Sequence, residues 1–545
     1  MSVGTRSDRI GILVLAAMLS ACAVGPDFHR PETPTAQRFA RDTPRDVQRG
    51  SKLATPRDVQ QATQRAGMQD APSVSVEAEA AFWRGFGDPA LTRLIDAALT
   101  TNHDLQAAMS RYDSANAVLS RAGFDRLPTV TASGQVGHRL LSRDQGFGAP
   151  RSQRDTPISN LGVQAAWELD LFGRVRRSLE SQRAQTVASA ADIQAVRVAI
   201  VGEVARTYVE LRGAQERLRI ARENGNNQLQ TLTLIRARVA AGRGSELDIA
   251  RARAQYEFTS SRVAVYETVI GVAEHRLAVL TGQSPDALIG RFDTAVALPA
   301  LAAQVDPGTP GDLLRRRPDV AAAEARLHAA TARIGVATAD LFPQFSLAGL
   351  LGTASNSYGF VRSGSATNLL ALGIDWSFLD VGRVRARIAE GNAEAAGYLA
   401  QYRQTVLDAM EETENALLRA ARTRDETAHL VRAANDSARA AQLAQTRFSA
   451  GGIDYYEVLD AQRTLLQAQD AAADGRMRSA TATVALYKAL AGGWPTEGVH
   501  GAQPGQGARE RKEPRTEREP RTEREPRTER GPHQVSEPQP GRDRR

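Results

Sequence analysis

From Leu161 to Leu171 apolar and polar side chains alternate. Leu161, Val163, Ala165, Trp167, Leu169 and Leu171 fall on one face, and Gly162, Gln164, Ala166, Glu168 and Asp170 on the other. That period of two predicts a β-strand. Residues 369–378 repeat it, with Leu370, Leu372, Ile374, Trp376 and Phe378 against Ala371, Gly373, Asp375 and Ser377. Segments 129–137 and 344–351 alternate less cleanly and bring the predicted strands to four. A length of about ten residues suits a tilted transmembrane strand of roughly 9–11 residues. A half-buried strand in a soluble sheet would alternate in the same way. Acids opposite a Trp-bearing apolar face fit a wet lumen on one side and lipid on the other.

A different period follows each Trp-bearing strand. Arg174 to Ala240 contains no proline, and Val196, Ile200, Val204, Tyr208, Leu211 and Leu218 form a stripe with coiled-coil-like spacing. Arg383 to Ser449 is its counterpart. At about 1.5 Å per residue each helix would be about 100 Å long. Such helices must pack side by side to be stable. Ala241-Gly242-Arg243-Gly244 and Ala450-Gly451-Gly452 end them and supply the positive-φ positions a sharp reversal needs.

The chain therefore contains itself twice. Trp167-Glu168-Leu169-Asp170-Leu171-Phe172-Gly173-Arg174-Val175-Arg176 matches Trp376 to Arg385 at an offset of 209. Arg238-Val239-Ala240-Ala241-Gly242 matches Arg447 to Gly451 at 209, and Leu280-Thr281-Gly282 matches Leu490 to Gly492 at 210. We place the two units at residues 77–285 and 310–495. Four strands cannot close a barrel, and open strand edges are not tolerated in lipid, so a chain with these strands in a membrane must oligomerise.

Composition narrows the functional classes. Of 545 residues, 42% are hydrophobic but only 5% aromatic, which fits long helices better than large mixed sheets. The net charge of +7 suggests a nucleic-acid partner until it is located. Residues 30–76 hold 8 basic and 5 acidic side chains and residues 509–545 hold 12 and 9, so two low-complexity segments supply +6 of it. Elsewhere arginines interleave with acids, as on a solvated helix surface, and we expect no nucleic-acid partner. Residues 30–76 and the tail at 496–545, with its repeated Glu-Pro-Arg-Thr-Glu-Arg, are too polar to bury a core and are expected to be disordered or extended.

Residues 1–21 have Arg6 and Arg9 before ten apolar positions, Ile10 to Leu19, too few to span a bilayer and typical of a signal peptide. Leu19-Ser20-Ala21-Cys22 resembles the bacterial lipobox, which implies cleavage before Cys22 and acylation of that residue, palmitate included. Cys22 is the only cysteine, so an intrachain disulfide framework is excluded. Ala23 at the next position implies sorting to the outer membrane. Eight scattered histidines, with no His-Glu-x-x-His pair, phosphate loop or Gly-x-Ser-x-Gly elbow, point to no enzyme, no metal and no cofactor beyond that lipid.

Several motifs together resemble an outer membrane factor of the TolC/OprM/NodT type, over about residues 22–495. Cys22-Ala23-Val24-Gly25-Pro26-Asp27-Phe28 with Arg30-Pro31 is similar to the start of the lipoprotein branch. Phe82-Trp83-Arg84-Gly85-Phe86-Gly87-Asp88-Pro89-Ala90-Leu91 is similar to the family's first helix. The most specific match is Leu313-Leu314-Arg315-Arg316-Arg317-Pro318-Asp319-Val320 with Ala322, Ala323 and Glu324, followed by Ile334-Gly335 and Phe342-Pro343. Pro318 also suits a first helical position and Asp319 a positive helix N-terminus.

The resemblance implies a mainly α fold with a transmembrane β-barrel portion, a homotrimer pooling twelve strands, and a periplasmic helical tunnel. It implies a periplasmic adaptor and an inner-membrane, proton-driven pump as partners, with the chain as a passive exit duct for drugs or other small molecules. An exit duct for protein secretion shares this architecture, and a lipid-anchored coiled-coil scaffold without a channel is a further alternative. Arg238, Gly242, Arg447 and Gly451 would sit at hairpin tips that dock the adaptor. Asp454 would form a carboxylate constriction in the pore; it could equally be a solvated aspartate at a helix start.

Overall fold

In the computed structural model the structure describes residues 23–33, 36–40, 82–294, 296, 298, 307–360 and 362–490. The expected signal peptide, Cys22, most of the linker and the charged tail lie outside the described residues. Among those described, no helix is long and apolar enough to cross a membrane.

The first half opens with a 3-10 turn (Phe82–Phe86), α1 (Pro89–Thr101) and α2 (His103–Phe124). A hairpin of β1 (Thr129–Leu140) and β2 (Asp155–Leu169) follows, then α3 (Arg174–Ala240) and α4 (Glu246–Leu280). The second half repeats the order: α5 (Pro310–Arg316), α6 (Pro318–Ala339), β3 (Gln344–Ser355), β4 (Ala366–Asp375), α7 (Val381–Ser449) and α8 (Tyr455–Ala489). The long helices have 67 and 69 residues, about 100 Å each, as the unbroken sequences require. Proline stands first in α1, α5 and α6, where its missing N–H costs nothing. The predicted stripe on α3 forms the core, with Ile200, Val204, Tyr208 and Leu211 buried against Leu91 and Ile95 of α1 and Leu277 of α4.

All four strands join one antiparallel sheet in the order β1-β2-β3-β4, so the two halves meet along β2–β3. Directly paired residues share a face, and the register separates the faces by chemistry. One face carries Val130, Leu161, Val163, Trp167, Phe345, Leu347, Leu351, Leu370, Leu372 and Ile374, interrupted by His138, Ser159, Thr353 and Asn368. The other carries Thr129, Thr131, Ser133, Gln135, Asn160, Gln164, Glu168, Gln344, Ser346, Thr367 and Asp375, interrupted by Ile158, Leu350 and Leu369. Much of the apolar face is open: Leu351, Leu370, Leu372 and Ile374 are each more than 60% exposed. The outer edges of β1 and β4 have no strand partner among the described residues.

Strand ends differ from the alternation. β2 begins at Asp155, not 161, because ladder hydrogen bonds to β1 continue through Thr156 and Ser159 where no apolar period marks them. It stops at Leu169 because Asp170 turns to cap α3, its carboxylate accepting from the N–H groups of Val175 and Arg176 at 3.1 and 2.9 Å. β4 occupies 366–375 and leaves Trp376 and Phe378 just outside the sheet. The Trp376 indole N–H donates to the Leu341 carbonyl at 3.1 Å, and Trp167 donates to the Arg126 carbonyl at 3.1 Å in the equivalent place. Both tryptophans sit where strands meet helices, the position of an aromatic girdle.

Two expectations need correction. Residues 30–33 and 36–40 are not simply loose linker: Arg30 pairs with Glu324 at 3.0 Å, Phe39 is 2% exposed, and the Ala40 N–H donates to Glu414 at 2.7 Å. One aromatic ring with a place to bury outweighs the polar composition around it. The arginines are also not all surface residues. Arg177, Arg212 and Arg317 are buried, and each binds carbonyls of a neighbouring segment. Arg317 donates to the Ala489 carbonyl at the end of α8, as Asn102 donates to the Leu280 carbonyl at the end of α4. Leu280 and Ala489 are the last residues of two helices of 35 residues each, so one joint is built from two different residue types.

Candidate functional site at the hairpin tips

Each long helix ends by the same backbone route. Gly242 and Gly451 take φ of +71° and +76°, and their N–H groups donate to Val239 and Phe448 at 2.9 and 3.0 Å. The carbonyls of Arg238 and Arg447 then accept from Arg243 and Gly452 at 2.9 and 2.8 Å. Positive φ at these two positions explains the glycines, since a side chain there would be strained. Nothing lies within 4 Å of where a Cβ would stand on either, so their outer surfaces are open.

The arginines differ although their positions match. Arg238 is half-buried, with its guanidinium 4.4 Å from the Phe448 ring centroid, so it ties the first tip to the second. Arg447 points outward and is exposed. Beneath them Leu232, Ile235 and Ala252 of the first tip pack with Phe448, Tyr455 and Val458 of the second. Phe448 and Tyr455 lie 5.9 Å apart, and Arg251 lies 5.4 Å from the Tyr456 ring. Burial, with the nearby Asp248 charge, pushes the Tyr455 phenol up to about 12, so it stays neutral. Sequence reasoning missed this aromatic set. In a chain with 5% aromatics, Phe448, Tyr455 and Tyr456 within nine residues were the available signal.

Asp454 stands 209 residues after Ser245, and both are N-caps. Ser245 behaves as a cap should: its hydroxyl accepts from the Asp248 N–H at 3.3 Å and its own N–H donates to the Asp248 carboxylate at 3.1 Å. Asp454 has extended backbone and its carboxylate makes no capping hydrogen bond. It is exposed at the tip, beside the open Gly451. It stands at the start of α8 as an exposed aspartate without a side-chain cap. Arg238, Gly242, Arg447, Gly451 and Asp454 lie at or beside the two helix reversals, whereas Cys22 lies outside the described residues. Among the described residues, no group of three His, Cys, Asp or Glu side chains could hold a metal ion.

Farther from the tips, Arg217 of α3 binds Asp470 and Asp474 of α8 at 2.8 Å each, and the Tyr266 hydroxyl of α4 donates to Asp470 at 2.6 Å. Arg478 of α8 then joins Asp474 to Glu426 of α7, both at 2.8 Å. This network crosses all four long helices and fixes their relative height.

Known proteins carry the same plan. The outer membrane efflux protein family matches residues 94–283 and 309–492. The outer membrane protein OprJ of Pseudomonas aeruginosa is 31% identical over 496 residues, covering 89% of this chain and 96% of its own. The pyoverdine export outer membrane protein OpmQ of Pseudomonas putida is 32% identical over 79% of this chain and 92% of its own. Among solved structures, the outer-membrane channel OprN aligns with a TM-score of 0.75 at 36% identity, over 87% of this chain and all of that one. The open-state MtrE outer membrane channel of Neisseria gonorrhoeae aligns at 0.74 and 25% identity, over 87% and 98%. With a repeated strand–hairpin plan, a two-faced sheet and these relatives, the chain belongs to the outer membrane efflux protein family.

Proposed function

We propose that the protein is the exit duct of a tripartite efflux system: a homotrimer whose pooled strands close a twelve-stranded barrel in the outer membrane. Its long helices continue the barrel as a periplasmic tunnel docked at the tips by a periplasmic adaptor, and an inner-membrane, proton-driven pump completes the system. The observation that carries this reading is the sheet. Among the described residues one face is largely apolar and open, one is largely polar, and two edges are unpaired, which suits lipid only when further copies complete the ring. The signal peptide at 1–21 and acylation at Cys22 belong to the same reading, and the duct performs no chemistry of its own. Relatives named for solvent and toluene efflux favour small-molecule cargo over protein secretion.

The internal repeat also supports how copies would meet. Within one chain α3 packs on α8: a Cβ on Gly202 would lie 3.5 Å from the Lys488 Cβ, and Arg217 pairs with Asp470. The offset of 209 turns α3 into α7 and α8 into α4. On α4 the corresponding face holds Phe258, Val265, Val272 and Val279, spaced by seven and exposed in the single chain. Repeating the internal contact between copies lays α4 of one protomer on α7 of the next, a head-to-tail contact that closes a ring. Glu411 and Val279 are the positions equivalent to Gly202 and Lys488. Paired Glu411→Cys and Val279→Cys substitutions should therefore cross-link chains on oxidation, giving covalent dimers and trimers on a non-reducing gel. Each single variant should stay monomeric on that gel. A double variant with no interchain bond would contradict this packing.

A further inference from the structure

Residues 23–30 are bound into the body of the fold. The Val24 N–H donates to the Phe172 carbonyl at 3.1 Å, beside the end of β2. Arg177 of α3, whose side chain is only 6% exposed, then grips the segment. Its Nε donates to the Val24 carbonyl at 3.2 Å, and its Nη2 to the Gly25 carbonyl at 3.4 Å and to Asp27 at 2.7 Å. The body supplies one further acceptor, Glu180 at 2.8 Å. A buried guanidinium needs its donors met, and most of the acceptors for this one come from the N-terminal segment.

The fit is close on the backbone side as well. Gly25 has φ +95°, and a Cβ there would lie 2.4 Å from the Gly335 Cα of α6. A Cβ on Gly173 would lie 2.7 Å from the Ala23 Cα, and one on Gly335 would lie 2.9 Å from the Arg177 side chain. Beyond this point Phe28 stacks on His328 of α6, with centroids 4.5 Å apart and planes at 12°. The His328 Nε2 lies 2.9 Å from the Glu180 carboxylate, and Arg30 pairs with Glu324 of α6 at 3.0 Å. Thus one side of the segment is held by α3 of the first half and the other by α6 of the second.

We infer that residues 23–30 form a clasp that docks across the seam between the two halves, with Arg177 as its positioning residue and Gly25, Gly173 and Gly335 as its seats. The clasp closes the seam next to the sheet and holds the start of the described residues just past the end of β2. It ties the halves together by contacts the repeat itself does not supply, because residues 23–30 have no copy in the second half. It does not depend on acylation at Cys22.

Hydrogen exchange on the full chain in detergent tests this from both sides. Gly25→Val changes only the docked segment and should speed exchange of residues 23–33 by about tenfold or more. Arg177→Met, on the receiving side, should release the same residues, and the double variant should exchange no faster than either single one, since both break one docked state. Cys22→Ser should leave the segment protected. Unchanged protection in Gly25→Val, additive effects in the double variant, or release in Cys22→Ser would each overturn the inference. Should Arg177→Met fail to fold, Gly25→Val and Asp27→Asn decide it from the segment alone.

Discussion

Asp454→Ala is expected to raise entry of large antibiotics through the outer membrane several-fold in cells that lack the partner pump. The acid sits at the second hairpin tip as an N-cap whose carboxylate caps nothing. Three copies around a closed tip would form a ring of carboxylates, which favours cations and resists bulky neutral or anionic solutes. Removing the charge would widen such a constriction without touching the buried tip cluster. Its positional twin provides the control. Ser245→Ala breaks a working capping box, which costs about 1 kcal/mol, and should leave uptake unchanged. Unchanged antibiotic uptake in Asp454→Ala, or an equal rise in both variants, would contradict a gate at Asp454.

Loss of Arg217 should have the largest effect on stability. Its side chain is 20% exposed and its partner Asp470 24%, so both charges are mostly withdrawn from water. Arg217→Met leaves Asp470 with the Tyr266 hydroxyl and the Arg262 charge but without its direct ion pair, and should destabilise the helical part by about 3 kcal/mol. The pH dependence has a definite sign. Burial would raise the Asp470 carboxyl, but hydrogen bonds from Arg217 and Tyr266, together with the Arg217 charge, outweigh it and hold its pKa below the ordinary value. A carboxylate depressed in this way contributes stability above its unfolded pKa of about 3.9. That contribution is lost as pH falls through the lower, folded value. The melting temperature of the native protein should therefore drop as the pH falls below about 4. In Asp470→Asn the drop should be smaller, from a lower starting point. An acid profile unaltered by Asp470→Asn would show that this pair does not carry the effect.

Much of the architecture was legible in the sequence because repetition is a strong signal. Two Trp-bearing strands and two proline-free helices at one offset predict the four strands, both hairpins and the glycine turns. The strand ends were not legible, since ladder hydrogen bonds hold Asp155 to Ser159 without any alternation. Arg177, Arg212 and Arg317 read as surface charges because composition says nothing about which carbonyls a guanidinium can reach. The Asn102 and Arg317 joints share no residue type, so comparing the halves letter by letter passes over them. At the tips the glycines follow from the spacing of the repeat, whereas the interest in Asp454 came from the family resemblance. The distinction between Arg238, which is bound to Phe448, and the exposed Arg447 needed three dimensions.

The central claim is a trimeric channel built from open four-stranded sheets, and ion conductance of the purified protein in a planar lipid bilayer tests it most directly. The predicted result is a heat-modifiable trimer that inserts and gives discrete conductance steps. A stable monomer that inserts no conductance would contradict the account and leave a helical scaffold in its place.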